Sequence, residues 1–314
     1  MRYAWLFPGQ GAQSVGMGRA LAESSSAARA VFEEADDALG FSLSKLCFDG
    51  PEGELTLTKY TQPAIVTVSV AALAALREAI PNLPDPAFVL GHSLGEYSAL
   101  VAAGALTFAD AVKLVHLRGQ AMQEAVPPGV GGMAAVVGAD AASVEALCKD
   151  AAEGEVLSPA NFNGPGQIVI AGTASAIERA AALAASRSMK LILLKVSAPF
   201  HCSLMQSARA KVEAALAPLP VQEAKFPIIA NVTAKPHTEA ALTRRLLVEQ
   251  VDSAVRWQQS VELLAQEGIR GALELGPGKV LAGLQKRINK EIPVLSIGTP
   301  EGIEAARDFL GALS

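Results

Sequence analysis

The chain has 314 residues, is 51% hydrophobic and carries 26 basic against 31 acidic side chains, a formal charge of −5. That balance excludes a protein built to hold nucleic acid or a charged membrane surface, and the length admits two units or one large α/β domain with an insertion. Cys47, Cys148 and Cys202 lie far apart without C-x-x-C spacing, so neither a disulfide framework nor a zinc site is indicated, and a reducing compartment fits.

A strand is expected at 3–7, followed by the loop Pro8-Gly9-Gln10-Gly11-Ala12-Gln13-Ser14. Pro8 and Gly9 arrive before a signal-peptide core can form, which predicts a cytoplasmic protein. The loop fails the dinucleotide pattern G-x-G-x-x-G, because Ser14 stands where the third glycine belongs, and no Lys-Ser/Thr pair follows. Ser25 or Ser26 can cap a helix that runs past Val31 and Phe32 to a stop at Gly40. Pro63 fits the first turn of the next helix, where a missing N–H costs nothing. The apolar run 63–76 is too short to span a bilayer and carries Thr67 and Ser69, so it predicts a buried helix.

Residues 88–90 make a short apolar strand and 96–103 a helix closed by Gly104. Between them stands Gly91-His92-Ser93-Leu94-Gly95, which has the spacing of a nucleophile elbow. A sharp strand-to-helix turn forces the serine into strained backbone angles that only small neighbours tolerate, and it leaves Oγ exposed at the helix N-terminus. Thr107 with Asp110 forms a capping box for a helix through Glu124, ended by Pro127-Pro128.

Residues 129–197 have a different rhythm, with strands at 133–138, 156–163, 167–173 and 189–196 and alanine-rich helices near 140–152 and 174–187. This βαββαβ order is that of a ferredoxin-like subdomain, inserted into a larger α/β unit made of 1–128 and 198–314. The larger unit resumes with a helix at 203–216, a strand at 228–231 and helices around 244–248 and 260–267. A strand at 271–275, a helix from Gly276-Pro277-Gly278 to 289 and a strand at 294–297 complete it.

A serine nucleophile needs a base, and the chain has four histidines. His92 abuts Ser93 and would point away from its Oγ. His116 sits in a helix with Val112, Val115 and Leu117 and reads as packing or surface, and His237 follows Pro236 in a polar loop. His201 remains, at the junction where the insertion hands back to the larger unit, and junctions are where pockets form. No Asp or Glu on a strand end lies between Ser93 and His201, so a dyad is the simpler reading, with a backbone carbonyl fixing the tautomer. Arg118 either complements a helix dipole or offers a planar fork to a substrate carboxylate.

Eight ordered motifs resemble the malonyl-CoA:acyl carrier protein transacylase family of fatty acid synthesis, which includes the acyltransferases of polyketide synthases. They are Phe-Pro-Gly-Gln-Gly at 7–11, Tyr-Thr-Gln-Pro at 60–63, Gly-His-Ser-Leu-Gly-Glu at 91–96 and Arg-Gly-Gln-Ala-Met at 118–122. Asn-Phe-Asn at 161–163, Ser-Ala-Pro-Phe-His at 197–201, Glu-Gln at 249–250 and Gly-Pro-Gly-Lys-Val-Leu at 276–281 follow. The resemblance implies a hydrolase-like α/β core with a mainly parallel sheet plus the ferredoxin-like insertion. It implies Ser93 as nucleophile, His201 as base and Arg118 as the clamp on a malonyl carboxylate. The backbone N–H groups of Gln10 and Leu94 would form the oxyanion hole, and the Gln250 carbonyl would orient His201. Gln62 and Asn161 or Asn163 would shape the pocket wall. Phe200 stands where related polyketide enzymes that accept methylmalonyl units usually carry serine, which implies malonyl over branched extenders.

The implied partners are a coenzyme A thioester and acyl carrier protein, with no metal, cofactor, nucleic acid or membrane, and nothing demands more than a monomer. Lys279, Lys286 and Lys290 share a helix face with Arg287 close by, opposite Leu281, Leu284 and Ile288; that face is either solvated or a dock for an acidic carrier. The competing readings are a malonyltransferase serving a polyketide synthase in trans, an acyl-thioester hydrolase using the same dyad, and a noncatalytic carrier-binding subunit.

Overall fold

The computed structural model describes residues 2–196 and 198–313. Ser197, the first residue of the Ser-Ala-Pro-Phe-His motif and the last of the expected insertion, lies outside the described residues. The described residues form ten strands: β1 (Tyr3–Phe7), β2 (Phe88–Gly91), β3 (Gly131–Val137), β4 (Leu157–Gly164), β5 (Gln167–Thr173), β6 (Lys190–Leu193), β7 (Ile228–Ile229), β8 (Pro236–His237), β9 (Gly271–Leu275) and β10 (Val294–Ile297).

Six of them form one sheet in the order β10-β9-β1-β2-β7-β8, parallel throughout except at the β8 edge. Its middle strands are covered on both faces, which is why β1 and β2 read in the sequence as unbroken apolar runs. Phe7 pairs with Gly91, so the loop at Pro8 and the turn at Ser93 leave the sheet side by side at its carboxyl edge. That edge is where open α/β sheets place their ligands.

The other four strands form an antiparallel sheet in the order β4-β5-β3-β6, the order of a ferredoxin-like βαββαβ unit. Helices Ala141–Ala152 and Ala174–Ser186 cover one of its faces through Val144, Leu147, Ile177 and Ala180. Its opposite face presents Met133, Ala135, Val169 and Ala171 to Met122, Phe200 and Met205 of the larger unit. The cleft described below opens between these two surfaces.

Local signals were answered where expected at several termini. Ser25 caps Ser26–Leu39 and Thr107 caps Phe108–Glu124, each side-chain oxygen accepting from the backbone N–H three residues on. Three expectations need correction. Pro63 lies inside helix Thr58–Ala79 rather than in its first turn, because the helix begins five residues earlier. The strand expected at 228–231 stops at Ile229, and Asn231 turns into the cleft region. His237 is not in a polar loop but buried in β8, opposite Ile228. Helix Pro300–Ala312 closes the described chain and was not anticipated, although Thr299-Pro300-Glu301 carries the start signal of a helix. Among the described residues no helix is long and apolar enough to cross a membrane.

Candidate active site

The turn from β2 into helix Gly95–Ala102 holds Ser93 at φ 51°, in the left-handed region that an L residue occupies only under constraint. The residues two positions to either side, 91 and 95, must be glycine. A Cβ on Gly91 would overlap the Gly95 carbonyl, and one on Gly95 would overlap the Phe7 carbonyl. Asn231 pins the turn from the far side: its Oδ1 accepts from Ser93 N at 2.7 Å and its Nδ2 donates to Gly91 O at 2.6 Å.

Ser93 Oγ lies 2.7 Å from His201 Nε2. His201 is buried at 4% exposure and itself sits at φ 61°. Its Nδ1 faces the carbonyls of Gln250 at 2.9 Å and Ser253 at 3.1 Å. A carbonyl can only accept, so Nδ1 carries the proton and Nε2 presents a lone pair to the serine hydroxyl. Burial, with the Arg118 charge added to it, drives the imidazole pKa down to about 3, so the neutral form prevails.

Arg118 is 1% exposed. It reaches the cleft because Gly119 lets helix Phe108–Glu124 press against the backbone of Thr58 and Lys59, where any Cβ would overlap. Its Nη1 donates to Gln62 Oε1 at 2.7 Å, and its Nη2 donates to Gln250 Oε1 at 2.9 Å and to Ser93 Oγ at 3.1 Å. All three acceptors are neutral. Nε has no acceptor among the described residues, although the Tyr97 ring lies 5.6 Å from the guanidinium carbon.

These groups open on a cavity of about 380 Å³ lined by Gln10, Gln62, Ser93, Leu94, Arg118 and His201 on the side of the parallel sheet. Asn161, Asn163, Met133 and Val169 line it from the smaller sheet, Lys195 lines it from the segment after β6, and Phe200 completes the wall. Asn163 Oδ1 lies 2.8 Å from His92 Nε2, so His92 is turned from the Ser93 hydroxyl and ties the elbow to β4. The backbone N–H groups of Gln10 and Leu94 make no hydrogen bond among the described residues. No group of three or more His, Cys, Asp or Glu side chains among the described residues is arranged to hold a metal ion.

The sequence reading missed three contributors. Gln250 was expected to act only through its carbonyl, yet its side chain bridges Arg118, the Ser93 carbonyl at 2.9 Å and Glu96 at 2.7 Å. Glu96, in the motif after the elbow, is a buried carboxylate. Asn231 carried no local signal, since its partners are more than 130 residues away.

Residues 4–298 match the acyl transferase domain family. The chain is 46% identical to the malonyl CoA-acyl carrier protein transacylase of Salmonella typhimurium over 97% of its own length and 98% of that protein. The crystal structure of acyl-carrier-protein-S-malonyltransferase from Bartonella henselae superposes with a TM-score of 0.96 at 46% identity, covering 99% of this chain and 100% of that one. A malonyl-transacylase solved in complex with a type II PKS acyl-carrier protein superposes with a TM-score of 0.95 at 41% identity, over 98% of this chain and 100% of that one. The chain belongs to the acyl transferase domain family and, within it, to the malonyl CoA-acyl carrier protein transacylases.

Proposed function

We propose that the protein transfers a malonyl group from malonyl-CoA to the phosphopantetheine thiol of acyl carrier protein through an ester on Ser93. The observation that carries this reading is the convergence of a hydroxyl, a neutral imidazole and an unpaired buried guanidinium on one cavity. Ser93 Oγ attacks the thioester carbonyl while His201 Nε2 takes its proton. The resulting oxyanion is held by the N–H groups of Gln10 and Leu94, each worth roughly 3 kcal/mol in comparable sites. His201 returns the proton to the coenzyme A sulfur as the C–S bond breaks, and the malonyl ester remains. The carrier thiol then gives its proton to His201 and attacks the ester, and His201 passes that proton to Ser93 Oγ as the ester C–O bond breaks, in ping-pong order. The residues named supply nucleophile, base and charge stabilisation, so the reading requires no metal and no cofactor.

Arg118 pairs with the malonyl carboxylate, and this has a second effect. The guanidinium charge is one cause of the low basicity of His201, so a bound carboxylate that neutralises it makes the imidazolium easier to form. Gln62, Asn161 and Asn163 shape the acyl pocket, and Phe200 narrows it against a branched extender. The site is complete within one chain, in keeping with a monomer, and the three buried free cysteines fit a reducing cytoplasm.

Brief incubation with malonyl-CoA should add a malonyl mass to the peptide containing Ser93, and the same adduct persisting in Ser93→Ala would reject the nucleophile. Rapid coenzyme A release without carrier would favour a hydrolase, and the absence of any adduct a noncatalytic subunit. Parallel assays with a fatty acid carrier protein and a polyketide carrier domain assign the carrier.

A further inference from the structure

A guanidinium that is 1% exposed and bonded only to neutral acceptors is an expensive feature of a folded protein, because a buried charge normally requires a partner of opposite sign. Among the described residues Arg118 makes no ion pair. A carboxylate stands one amide away. Gln250 accepts from Arg118 through Oε1 and donates through Nε2 to Glu96 Oε2, which also accepts from Asn231 N at 3.1 Å. Glu96 is 2% exposed and does not line the cavity. A primary amide between a cation and an anion has one favourable orientation, oxygen to the cation and nitrogen to the anion, and each bond strengthens the other.

We infer that Glu96 is a positioning residue for selection of the anionic acyl group: it fixes the Gln250 side chain and, through it, the Arg118 guanidinium beside Ser93. The inference rests on the reading of Arg118 as the clamp. Without the negative charge, Gln250 Nε2 keeps the Ser93 carbonyl but loses its charged acceptor, so the amide that aims Arg118 is held less firmly. The Gln250 carbonyl on His201 belongs to the backbone and would stay, so the effect falls on recognition of the carboxylate more than on the attack itself.

Burial pushes the Glu96 pKa up to about 7 against the lowering effects of Gln250, Asn231 N and the Arg118 charge. The titratable or charged groups coupled to it are Arg118, on helix Phe108–Glu124, and Tyr97, its neighbour on the same helix. Gln250 and Asn231 contribute neutral amides. The negative charge is therefore present above neutral pH and lost as the pH falls through about 7, in a range where His201 stays neutral.

The test is the ratio of malonyl to acetyl acylation of Ser93, followed by mass on the full chain from pH 5.5 to 8.5. Wild type should lose this ratio as the pH falls, with a midpoint near 7. Glu96→Gln should lower malonyl kcat/KM roughly tenfold or more at pH 8, leave acetyl within about threefold, and flatten the pH dependence of the ratio. A bystander anion would repel the malonyl carboxylate, so its removal would raise malonyl kcat/KM; that result, or equal loss for both acyl groups, overturns the inference. Should Glu96→Gln fail to fold, a pH-independent ratio in wild type overturns it alone. Arg118→Ala separates the two levels: if it leaves the ratio unchanged, the clamp reading fails, whereas if it abolishes selectivity while Glu96→Gln does not, only the role of Glu96 fails.

Discussion

Arg118 Nη2 touches Ser93 Oγ at 3.1 Å, so the group that would receive a substrate carboxylate also contacts the hydroxyl that would attack. Selection and chemistry thus share an atom. Three of the five guanidinium N–H donors are engaged, Nε is buried on the Tyr97 side, and the carboxylate would meet the Nη groups. Arg118→Ala should lower malonyl kcat/KM about a hundredfold, the loss expected for a charge-assisted pair, while acetyl transfer is retained or rises. Steady-state rates with the two coenzyme A esters decide it. Equal losses would make the arginine a structural element of the elbow.

The buried imidazole predicts a pH dependence of stability with a definite sign. His201 titrates near 6.5 when unfolded and about 3 when folded, so between those values the unfolded chain binds a proton that the folded one refuses. Its contribution therefore falls as the pH drops below about 6.5, with a slope of at most ~1.4 kcal/mol per pH unit. His201→Gln lacks this loss, so its urea-unfolding free energy relative to wild type should rise between pH 6.5 and 5 and stay level above 7. A gap that does not change with pH would mean that the ring is not held neutral. Glu96 titrates with the opposite sign, but it is present in both proteins and cancels.

Lys279, Lys286, Arg287 and Lys290 are exposed around helix Val280–Ile288, whose Leu281 and Ile288 pack inward. Arg287 Nη1 reaches Gln167 Oε1 on β5 at 2.5 Å, which sets this basic surface beside the small sheet. The helix start is fixed by Glu274, whose carboxylate accepts from Leu281 N and Ala282 N. If an acidic carrier docks here, Lys286→Glu with Lys290→Glu should raise the KM for carrier protein roughly tenfold and leave acylation by malonyl-CoA unchanged. The effect should shrink at high salt. Acylation and transfer falling together would point to a disturbed fold.

Ser93 was legible because an elbow is a local pattern: strand, glycine, serine, glycine and helix fall within a dozen residues, and the glycines answer to backbone overlap alone. His201 was reachable by elimination among four histidines, whereas its acceptor, the Gln250 carbonyl, was reachable only through the family resemblance, since carbonyls carry no sequence signature. Asn231, Glu96 and the Gln250 amide acquire meaning only when chain segments far apart in sequence meet. His237 went wrong for the same reason, as pairing with Ile228 overrode the turn propensity around Pro236.

The misplacement of Pro63 has a physical remedy in the structure. A proline six residues into a helix has no N–H for the carbonyl four residues back, which is that of Lys59. His116 Nδ1 lies 2.7 Å from that carbonyl and supplies the missing donor, with its ring set against Phe41 and Tyr60. A helix expected to carry Pro63 in its first turn can therefore extend back to Thr58, placing Gln62 on the turn that meets Arg118. His116→Ala should cost about 1–2 kcal/mol in urea unfolding without changing malonyl transfer. In a Pro63→Ala background the new N–H can satisfy Lys59, so the same substitution should cost less, with a coupling of about 1 kcal/mol. An equal cost in both backgrounds would reduce His116 to ring packing and leave the extended helix without this explanation.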